Sequence, residues 1–193
     1  MIRELKAGDI DQVVNIHLGQ LSGFLSQLGK NFLTKYYQTS LSTLEMFTKV
    51  EVNNEQILGF ATGTVRLKGL IFKIISQDII GFIFLFMNIF FTHPFLLLGT
   101  VKSLAYPGFS QDVPELLTIA VQKKYQKRGI GKKLFQAIKK EFHQRGIGRF
   151  QVSMYKRLPA AKFYEKMGCR LFKTFTFQSE PMSYYMCNSY LPS

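Results

Sequence analysis

An apolar strand that leads through a glycine-bearing turn into an amphipathic helix is the feature that most constrains this fold. Residues 116–121 carry no charge, which is typical of a strand in the middle of a sheet. Apolar residues then recur every four positions between 130 and 142, which predicts a helix with one apolar face. A buried strand followed by a helix that covers it indicates an α/β domain.

The turn between this strand and helix reads Gln126-Lys127-Arg128-Gly129-Ile130-Gly131. Glycines let the main chain approach a ligand closely, and a helix start supplies unpaired amides and the positive end of a dipole. The turn therefore predicts a pyrophosphate site, unless its glycines serve only its shape. Neither the phosphate loop of nucleotide hydrolases nor the three-glycine dinucleotide fingerprint fits this spacing. The sequence thus disfavours nucleotide hydrolysis and nicotinamide chemistry.

The rest of the chain alternates strand and helix patterns without a repeat. Strand patterns cover residues 2–5, 47–52, 57–65, 150–154, 171–177 and 182–186. Helical patterns begin near Ile10, Phe32 and Pro159. Residues 47–65 are expected to form a hairpin around Asn53-Asn54-Glu55. The length of 193 residues fits one mixed α/β domain better than two.

Two sequence segments, the glycine-bearing turn and a later one, resemble the Gcn5-related N-acetyltransferase (GNAT) family and follow each other in the family's order. The turn matches the pattern Gln/Arg-x-x-Gly-x-Gly/Ala, and Phe163-Tyr164-Glu165-Lys166-Met167-Gly168 resembles the family's second signature. The resemblance is strong over residues 115–171 and fainter over residues 2–65. It implies a single domain over residues 1–193, with a mixed, mostly antiparallel, splayed central sheet flanked by helices, the fold of acyl-coenzyme A N-acyltransferases.

The resemblance also implies a binding mode for acetyl-coenzyme A, the expected acyl donor. Main-chain amides of the turn would hold the pyrophosphate, and an amide near Ile119 would polarise the thioester carbonyl. Arg157 stands where the family often has an asparagine that contacts the pantetheine, so the resemblance does not extend to that contact. The expected cofactor-binding residues are Ile119, Ala120, Val121, Gln126, Lys127, Arg128, Gly129, Ile130, Gly131 and Lys132. No metal site is expected.

Two residues are the candidate catalytic groups implied by the resemblance. Tyr164 aligns with the tyrosine that protonates the departing thiolate, and its alternative is a core tyrosine. Glu115 stands eleven positions before Gln126, the spacing of the general base in the histone-acetylating branch, and its alternative is a solvated glutamate at a strand start. His17 and His143 are weaker candidates for the base and are expected at the surface.

An apolar helical insert is expected over residues 67–110, before the central strand. Residues 79–101 carry no formal charge and could span a bilayer by length, but one crossing would separate strands that should pair. Two short helices folded as a hairpin, interrupted near Pro94, are therefore favoured. The insert has four alternative uses: contact with a membrane surface, a lid over the acceptor site, a homodimer interface, or completion of the core.

Charge and cysteine content bound the partners and the compartment. The formal charge of +13 favours an anionic partner, and ten basic residues between positions 123 and 149 fit a local phosphate site. Nucleic acid is disfavoured because no recognised motif is present. Two cysteines are too few for a disulfide framework, and Cys169 is expected to be a small core residue. A cytoplasmic location is expected, with peripheral attachment to the inner face of a membrane left open.

The resemblance favours an N-acetyltransferase that moves an acetyl group from acetyl-coenzyme A to an amine by direct attack. The acceptor is expected to be a small or lipid-proximal amine, such as an amino sugar. Two alternatives stay open: a protein-amine acetyltransferase, and a non-catalytic acyl-coenzyme A-binding module that docks on a membrane or a protein partner.

Overall fold

Seven strands form one sheet in the part of the chain that the computed structural model describes, which comprises residues 1–92, 112–177 and 179–190 without the side chain of Phe24. The spatial order is β1-β2-β3-β4-β5-β7-β6, and every neighbouring pair is antiparallel except β4 and β5. The predicted mixed, mostly antiparallel sheet is therefore confirmed. The strands are β1 (Ile2–Glu4), β2 (Met46–Asn53), β3 (Gln56–Thr64), β4 (Glu115–Val121), β5 (Arg149–Tyr155), β6 (Arg170–Phe177) and β7 (Glu180–Asn188).

Helices cover both faces of this sheet. One apolar cluster contains the N-terminal helices and the insert, and a second contains the two helices that follow β4 and β5. Phe60 and Ala61, adjacent in β3, belong to different clusters, because successive side chains of a strand point to opposite faces. The helices are α1 (Ile10–Gln20), α2 (Phe24–Gln27), α3 (Gly29–Ser40), α4 (Leu70–Ser76), α5 (Ile79–Thr92), α6 (Ile130–Gln144) and α7 (Ala161–Lys166).

The predicted hairpin is formed by β2 and β3. Asn54 and Glu55 connect them in a two-residue turn with φ angles of 43° and 65°, the left-handed pair typical of a tight hairpin turn. The predicted amphipathic helix is α6, whose side chains Leu134, Ile138 and Phe142 are fully buried. The ring of Phe142 stacks on Phe150 of β5 at 4.4 Å between centroids, so this helix is fixed against the centre of the sheet.

The sheet splits between its two parallel strands. β4 and β5 pair only at Glu115–Gln151 and Leu116–Val152 and then diverge. A bulge accompanies the split, because Leu116 pairs with Gly63 and Thr118 with Thr62, which leaves Leu117 without an opposite residue. The splay that the resemblance implied is thus present, and it opens a wedge beside the second half of β4.

Two helices of the insert lie within the described residues. The first helix of the expected pair corresponds to α5, which ends at Thr92, just before Pro94, and α4, which starts at Leu70, is a further helix ahead of it. The remainder of the expected hairpin lies outside the described residues. No single helix in the described ranges has the length and hydropathy of a membrane span; α4 and α5 pass that test only as a pair, and they are bent by 103° at their junction.

The cysteines differ from the expectation of a lone core thiol. Cys169 and Cys187 form a disulfide, and both are buried. The cause is strand register: Arg170 of β6 lies opposite Met186 of β7, so the residue before Arg170 faces the residue after Met186. Cysteines 18 positions apart are brought together by a pairing that composition does not reveal.

Candidate active site

The edge of β4 that faces β5 is open beyond Leu116. On the opposite edge, the Gln122 amide donates a hydrogen bond to the Leu58 carbonyl over 2.9 Å. Because amides alternate between the two edges of an antiparallel strand, those of Ile119 and Val121 point to the open edge. The wedge is therefore lined by main-chain groups that an extended ligand can meet as an added strand would.

Ala120, which was also expected along the pantetheine, is oriented differently from Ile119 and Val121. The same alternation directs its amide to β3, and its side chain is buried in the cluster under α1 and α3. Of the three predicted strand residues, Ile119 and Val121 are thus the two whose amides can reach a ligand in the wedge.

Gln126 closes the far end of the wedge. Its side-chain amide nitrogen donates to the Val121 carbonyl at 3.0 Å and to Oε1 of Gln20 at 2.9 Å. These bonds join the end of β4 to the end of α1. The predicted cofactor residue Gln126 therefore also fixes the position of the turn that it begins.

The turn after Gln126 has the geometry of an anion-binding site. Lys127 and Gly129 have φ angles of 61° and 79°, and Arg128 between them lies outside that left-handed region. Such alternation of handedness turns successive amides to one side and forms a concave nest for anions. Lys127 holds this conformation without being glycine, which costs about 1–2 kcal/mol and is a pattern that clusters at functional sites.

The start of α6 continues this nest. The Lys133 amide donates to the Gly129 carbonyl at 3.1 Å and so begins the helical hydrogen-bond ladder. The amides of Ile130, Gly131 and Lys132 precede that bond and point out of the helix end. The side chains of Lys127, Arg128 and Lys132 are exposed around them. Amides, a helix dipole and cations therefore converge on one position.

Gly131 lies close to Phe163 of α7 and Val121 of β4. A Cβ atom built there would lie 3.7 Å from the Phe163 ring and 4.0 Å from a methyl group of Val121, which is ordinary van der Waals contact. The position therefore has room for alanine. This agrees with the Gly/Ala choice at the same place in the family pattern.

Tyr164 lies on α7 within an aromatic cluster. Its ring centroid is 6.0 Å from that of Phe135, 5.3 Å from Phe163 and 6.3 Å from Tyr185. The side chain is buried, and burial raises the pKa of its hydroxyl. That hydroxyl forms no hydrogen bond with any residue in the described ranges, and the ring packs as that of a core tyrosine does. The raised pKa keeps the hydroxyl protonated at neutral pH.

Glu115 is buried at the point where β4 and β5 separate, with only 3% of its surface exposed. Gln151 donates a side-chain hydrogen bond to one carboxyl oxygen over 2.6 Å, and the Ser153 hydroxyl bonds the other. Desolvation raises the pKa of Glu115 to about 7, against the lowering effect of these two donors. The alternative of a solvated glutamate is wrong, because the strand start is covered rather than open to water.

The two candidate catalytic residues approach the sheet from opposite faces. Glu115 shares a face with Gln151 and Ser153, whereas the next pair, Leu116 and Val152, points to the side of α6 and α7, where Tyr164 packs. No hydrogen bond joins Glu115 to Tyr164. A reaction that used both groups would therefore take place in the wedge that separates them.

Of the two histidines expected at the surface, one is exposed and the other is buried. His143 is exposed, as expected. His17 is 2% exposed, so its expected surface position is wrong. Its Nδ1 atom is 2.8 Å from the Tyr37 hydroxyl, and its ring stacks on Phe60. Burial lowers the pKa of His17 to about 4, which makes it a neutral core residue at physiological pH.

Sequence reasoning missed the partners of Glu115. Apolar residues alternate along β5, which suggests that the residues between them face water, yet Gln151 is 3% exposed and Ser153 is partly covered. A polar residue on both sides of Val152 was the only signal. Arg157, at the position of the family's asparagine, pairs with Glu180 at 2.6 Å. Within the described ranges, no group of metal-ligating side chains is assembled.

A splayed sheet whose open strand edge leads to an anion-binding turn defines a protein that binds an elongated phosphorylated ligand. The model of the acetyltransferase (GNAT) family matches residues 26–169, so this protein belongs to that family. The family uses acetyl-coenzyme A. A search of the curated proteins finds no relative that matches the chain.

Solved structures resemble the whole chain at low sequence identity. The ribosomal-protein-S18-alanine N-acetyltransferase from Escherichia coli has a TM-score of 0.62 and 14% identity, with 100% of this chain and 96% of that chain covered. An aminoglycoside 6'-N-acetyltransferase complexed with coenzyme A gives 0.65 and 12%, covering 100% and 99%. The PaiA N-acetyltransferase from Thermoplasma acidophilum in complex with coenzyme A gives 0.58 and 16%, covering 95% and 96%. These similarities establish the fold.

Proposed function

We propose that this protein transfers the acetyl group of acetyl-coenzyme A to an amine by direct attack, without a covalent enzyme intermediate. The observation that carries the proposal is the continuous path from the open edge of β4 to the nest at the start of α6. Coenzyme A has the matching shape, because an extended pantetheine arm with its own amide groups precedes a pyrophosphate.

In this proposal the main chain supplies most of the cofactor contacts. The Ile119 and Val121 amides would bond the pantetheine and the thioester carbonyl, and the amides of the turn would bond the pyrophosphate. Exposed lysine and arginine side chains would add charge without fixing geometry. The proposed cofactor-binding residues are Ile119, Val121, Gln126, Lys127, Arg128, Gly129, Ile130, Gly131 and Lys132, without Ala120, whose amide is directed to β3.

The chemical step then needs one proton acceptor and one proton donor. The amine nitrogen attacks the thioester carbonyl carbon, the new C–N bond forms, and the C–S bond breaks. We assign Glu115, directly or through water, as the group that accepts the proton lost by the amine. We assign Tyr164 as the group whose hydroxyl proton passes to the departing sulfur, which leaves as the thiol of coenzyme A.

The surroundings of Glu115 support its assignment as the base. A carboxyl group with a pKa of about 7 is near the optimum for proton transfer at neutral pH. Its two hydrogen-bond donors, Gln151 and Ser153, are neutral, so they orient the carboxylate without holding its pKa far below neutrality. We therefore expect the rate to rise with pH through about 7, as the carboxylate forms.

For the acceptor we propose a small or lipid-proximal amine, such as an amino sugar. A cleft of about 520 Å³ separates the start of α3 from the second half of α5. Amide side chains of Gln27, Asn31 and Asn88 line it beside apolar residues, which suits a molecule with several hydroxyl groups. One structural neighbour is an enzyme named for an aminoglycoside.

The test is transfer of labelled acetyl groups to a panel of amines by the full chain. Transfer to amino sugars supports the proposal in full. Transfer only to peptides, at lysine or at the N-terminus, replaces the acceptor with a protein amine. Acetyl-coenzyme A binding without transfer to any amine contradicts catalysis and leaves a non-catalytic acyl-coenzyme A-binding module.

We propose a cytoplasmic location because acetyl-coenzyme A is the donor. The disulfide between Cys169 and Cys187 is a type of bond rare in the cytosol, so cysteine content does not support this location. Fractionation of the native source would test the proposal directly.

A further inference from the structure

The insert exposes a continuous apolar stripe. No residue of α5 is charged, and its outer side chains recur at helical spacing on one side. Phe84 is 67% exposed and Phe91 76% exposed, and Phe72 of α4 is exposed to the same degree as Phe91. We define the insert stripe as the exposed apolar residues of the two helices: Phe72, Ile79, Ile80, Ile83, Phe84, Met87, Phe90 and Phe91.

The other side of α5 is fixed to the protein. Phe82 and Ile89 are buried, and Phe82 packs edge-on against Phe32 of α3 with centroids 6.0 Å apart. Lys35 forms an ion pair with Asp78 at the start of α5. The helix is therefore apolar on both sides and anchored on one. A surface helix normally has a polar outer face, so its outer face calls for a partner other than water.

The charge of the protein favours an anionic surface as that partner. The net charge is +13, and the acids Glu45 and Asp78 beside the insert are neutralised by ion pairs with Lys73 and Lys35. Lys68, just before α4, and Lys30, beside the second half of α5, are exposed and form no salt bridge with a described residue. Unpaired cations thus flank both ends of the insert stripe.

A second copy of the chain fits this surface less well. Two molecules of charge +13 repel each other, and a large net charge keeps proteins monomeric. A specific protein interface also carries about one hydrogen bond per 100–200 Å², whereas the exposed side chains of α5 are apolar apart from Asn88 and Thr92. Lipid tails require no hydrogen bonds, and anionic headgroups attract the flanking lysines.

We propose that the insert stripe docks the protein on an anionic membrane surface, with α5 in the interfacial layer and Lys30 and Lys68 at the headgroups. An isolated interfacial helix turns a polar face to water, whereas the inner face of α5 packs against the rest of the protein. Four residues of α5 also line the cleft beside α3, so docking would bring that cleft to the headgroup region. Only this last consequence rests on the proposed function.

The first test is sedimentation with vesicles of phosphatidylcholine alone and of an equal mixture with phosphatidylglycerol. We expect binding to the anionic vesicles that weakens in high salt. Replacing Phe84 and Phe91 together by glutamate should weaken it by about tenfold or more. The matched control is Phe172→Glu on β6, a phenylalanine of 69% exposure far along the sheet order, which should change binding by less than about twofold. Unchanged acetyl-coenzyme A affinity in all variants separates this result from failure of the proposed function.

The second test uses the absence of tryptophan from the sequence and does not depend on a charged variant that folds. Phe84→Trp introduces a unique fluorophore, whose emission should shift to the blue and be quenched by brominated lipid tails on the anionic vesicles. Phe172→Trp should show neither change. No binding by the unaltered chain, or Phe84→Trp emission insensitive to the vesicles, overturns the proposal. So does a lipid-independent dimer that glutamate at Phe84 dissociates, since that result makes the stripe a contact between copies.

Discussion

The helices that cover the two faces of the sheet differ in how completely they bury their apolar side chains. On one face, α6 buries Leu134, Ile138 and Phe142 completely and turns lysines to water. On the other, α5 buries Phe82 but exposes Phe84 and phenylalanines beyond it. The apolar side of α6 faces the sheet and its polar side faces water, so its sequence pattern defines its orientation. Both sides of α5 are apolar, so its sequence pattern does not show which side packs on the protein and which is exposed.

The same contrast extends to buried carboxylates. Glu141 of α6 pairs with Lys49 at 2.6 Å and with Arg145 at 2.8 Å, and these cations hold its pKa below the ordinary value although desolvation acts in the opposite direction. Glu115 is bonded only by neutral groups, and desolvation raises its pKa. Cations around Glu141 therefore stabilise its charged form, whereas the surroundings of Glu115 favour its neutral form. This difference is consistent with the structural role of Glu141 and with the proposed role of Glu115 as a proton acceptor.

The largest expected effect compares two phenylalanines. Phe142→Ala should lower the free energy of unfolding by about 3–5 kcal/mol, because it leaves a cavity between α6 and β5. Phe91→Ala should change it by less than about 0.5 kcal/mol, because the ring is exposed. Urea unfolding followed by circular dichroism measures both. An equal loss at Phe91 would show that the insert stripe is covered within the monomer and would remove the contrast.

The next effect concerns the pH dependence of stability. The folded protein holds the Glu115 proton up to about pH 7, whereas the unfolded chain releases it near the ordinary pKa of glutamate. The contribution of Glu115 to stability is therefore greatest below that ordinary value, falls as the pH rises toward 7, and then levels off, with a total loss of about 3 kcal/mol. Glu115→Gln should remove this fall, as measured by thermal unfolding across the range.

Glu141→Gln is the control for that measurement. The folded-state pKa of Glu141 is lowered, so its contribution is present above the ordinary pKa and is lost as the pH falls. The two variants should therefore change the pH profile in opposite directions. Profiles altered in the same direction would mean that Glu115 is ionised in the folded protein and that the two faces do not differ in this respect.

A smaller effect is expected in catalysis. Tyr164→Phe should lower kcat by about a hundredfold, because it removes the proton donor for the departing sulfur. Acetyl-coenzyme A affinity should stay the same, since the ring and its aromatic contacts are kept. Steady-state kinetics with titration calorimetry separates the two. A variant with full kcat would leave Tyr164 as a packing residue of the α6 face alone.

The smallest effect compares the two glycines of the turn. Gly129→Ala places a side chain at a φ angle of 79°, which costs about 1–2 kcal/mol and should weaken acetyl-coenzyme A binding by about tenfold. Gly131→Ala adds a methyl group at ordinary contact distance from Phe163 and should change binding by less than about twofold. Equal losses would indicate that the main-chain conformation at Gly129 is not needed to bind the pyrophosphate.

Much of the α6 face could be predicted from the sequence, because its signals are local. A four-residue apolar period gave α6, and a two-residue turn between apolar runs gave the β2–β3 hairpin. The glycine turn likewise combines neighbouring residues. Each of these patterns depends on contacts within a single element or between adjacent ones, which one-dimensional periodicity records.

The unpredicted features all depend on contacts between distant segments. His17 became a core residue because Tyr37 and Phe60 cover it from α3 and β3. The surroundings of Glu115 come from β5, which lies more than 30 positions away along the chain. The disulfide follows from the register of β6 against β7. None of these pairings leaves a periodic signal, so the sequence indicated Glu115 and Tyr164 only through the family resemblance.

A crystal structure of the full chain with acetyl-coenzyme A would show directly how the turn and the wedge bind the cofactor. We expect pyrophosphate oxygens within about 3.2 Å of main-chain nitrogens in the 127–131 turn, with the thioester carbonyl facing the Ile119 amide and the pantetheine in the wedge between β4 and β5. A cofactor bound elsewhere, or crystals and titrations at saturating acetyl-coenzyme A in which none is held, would contradict this expectation.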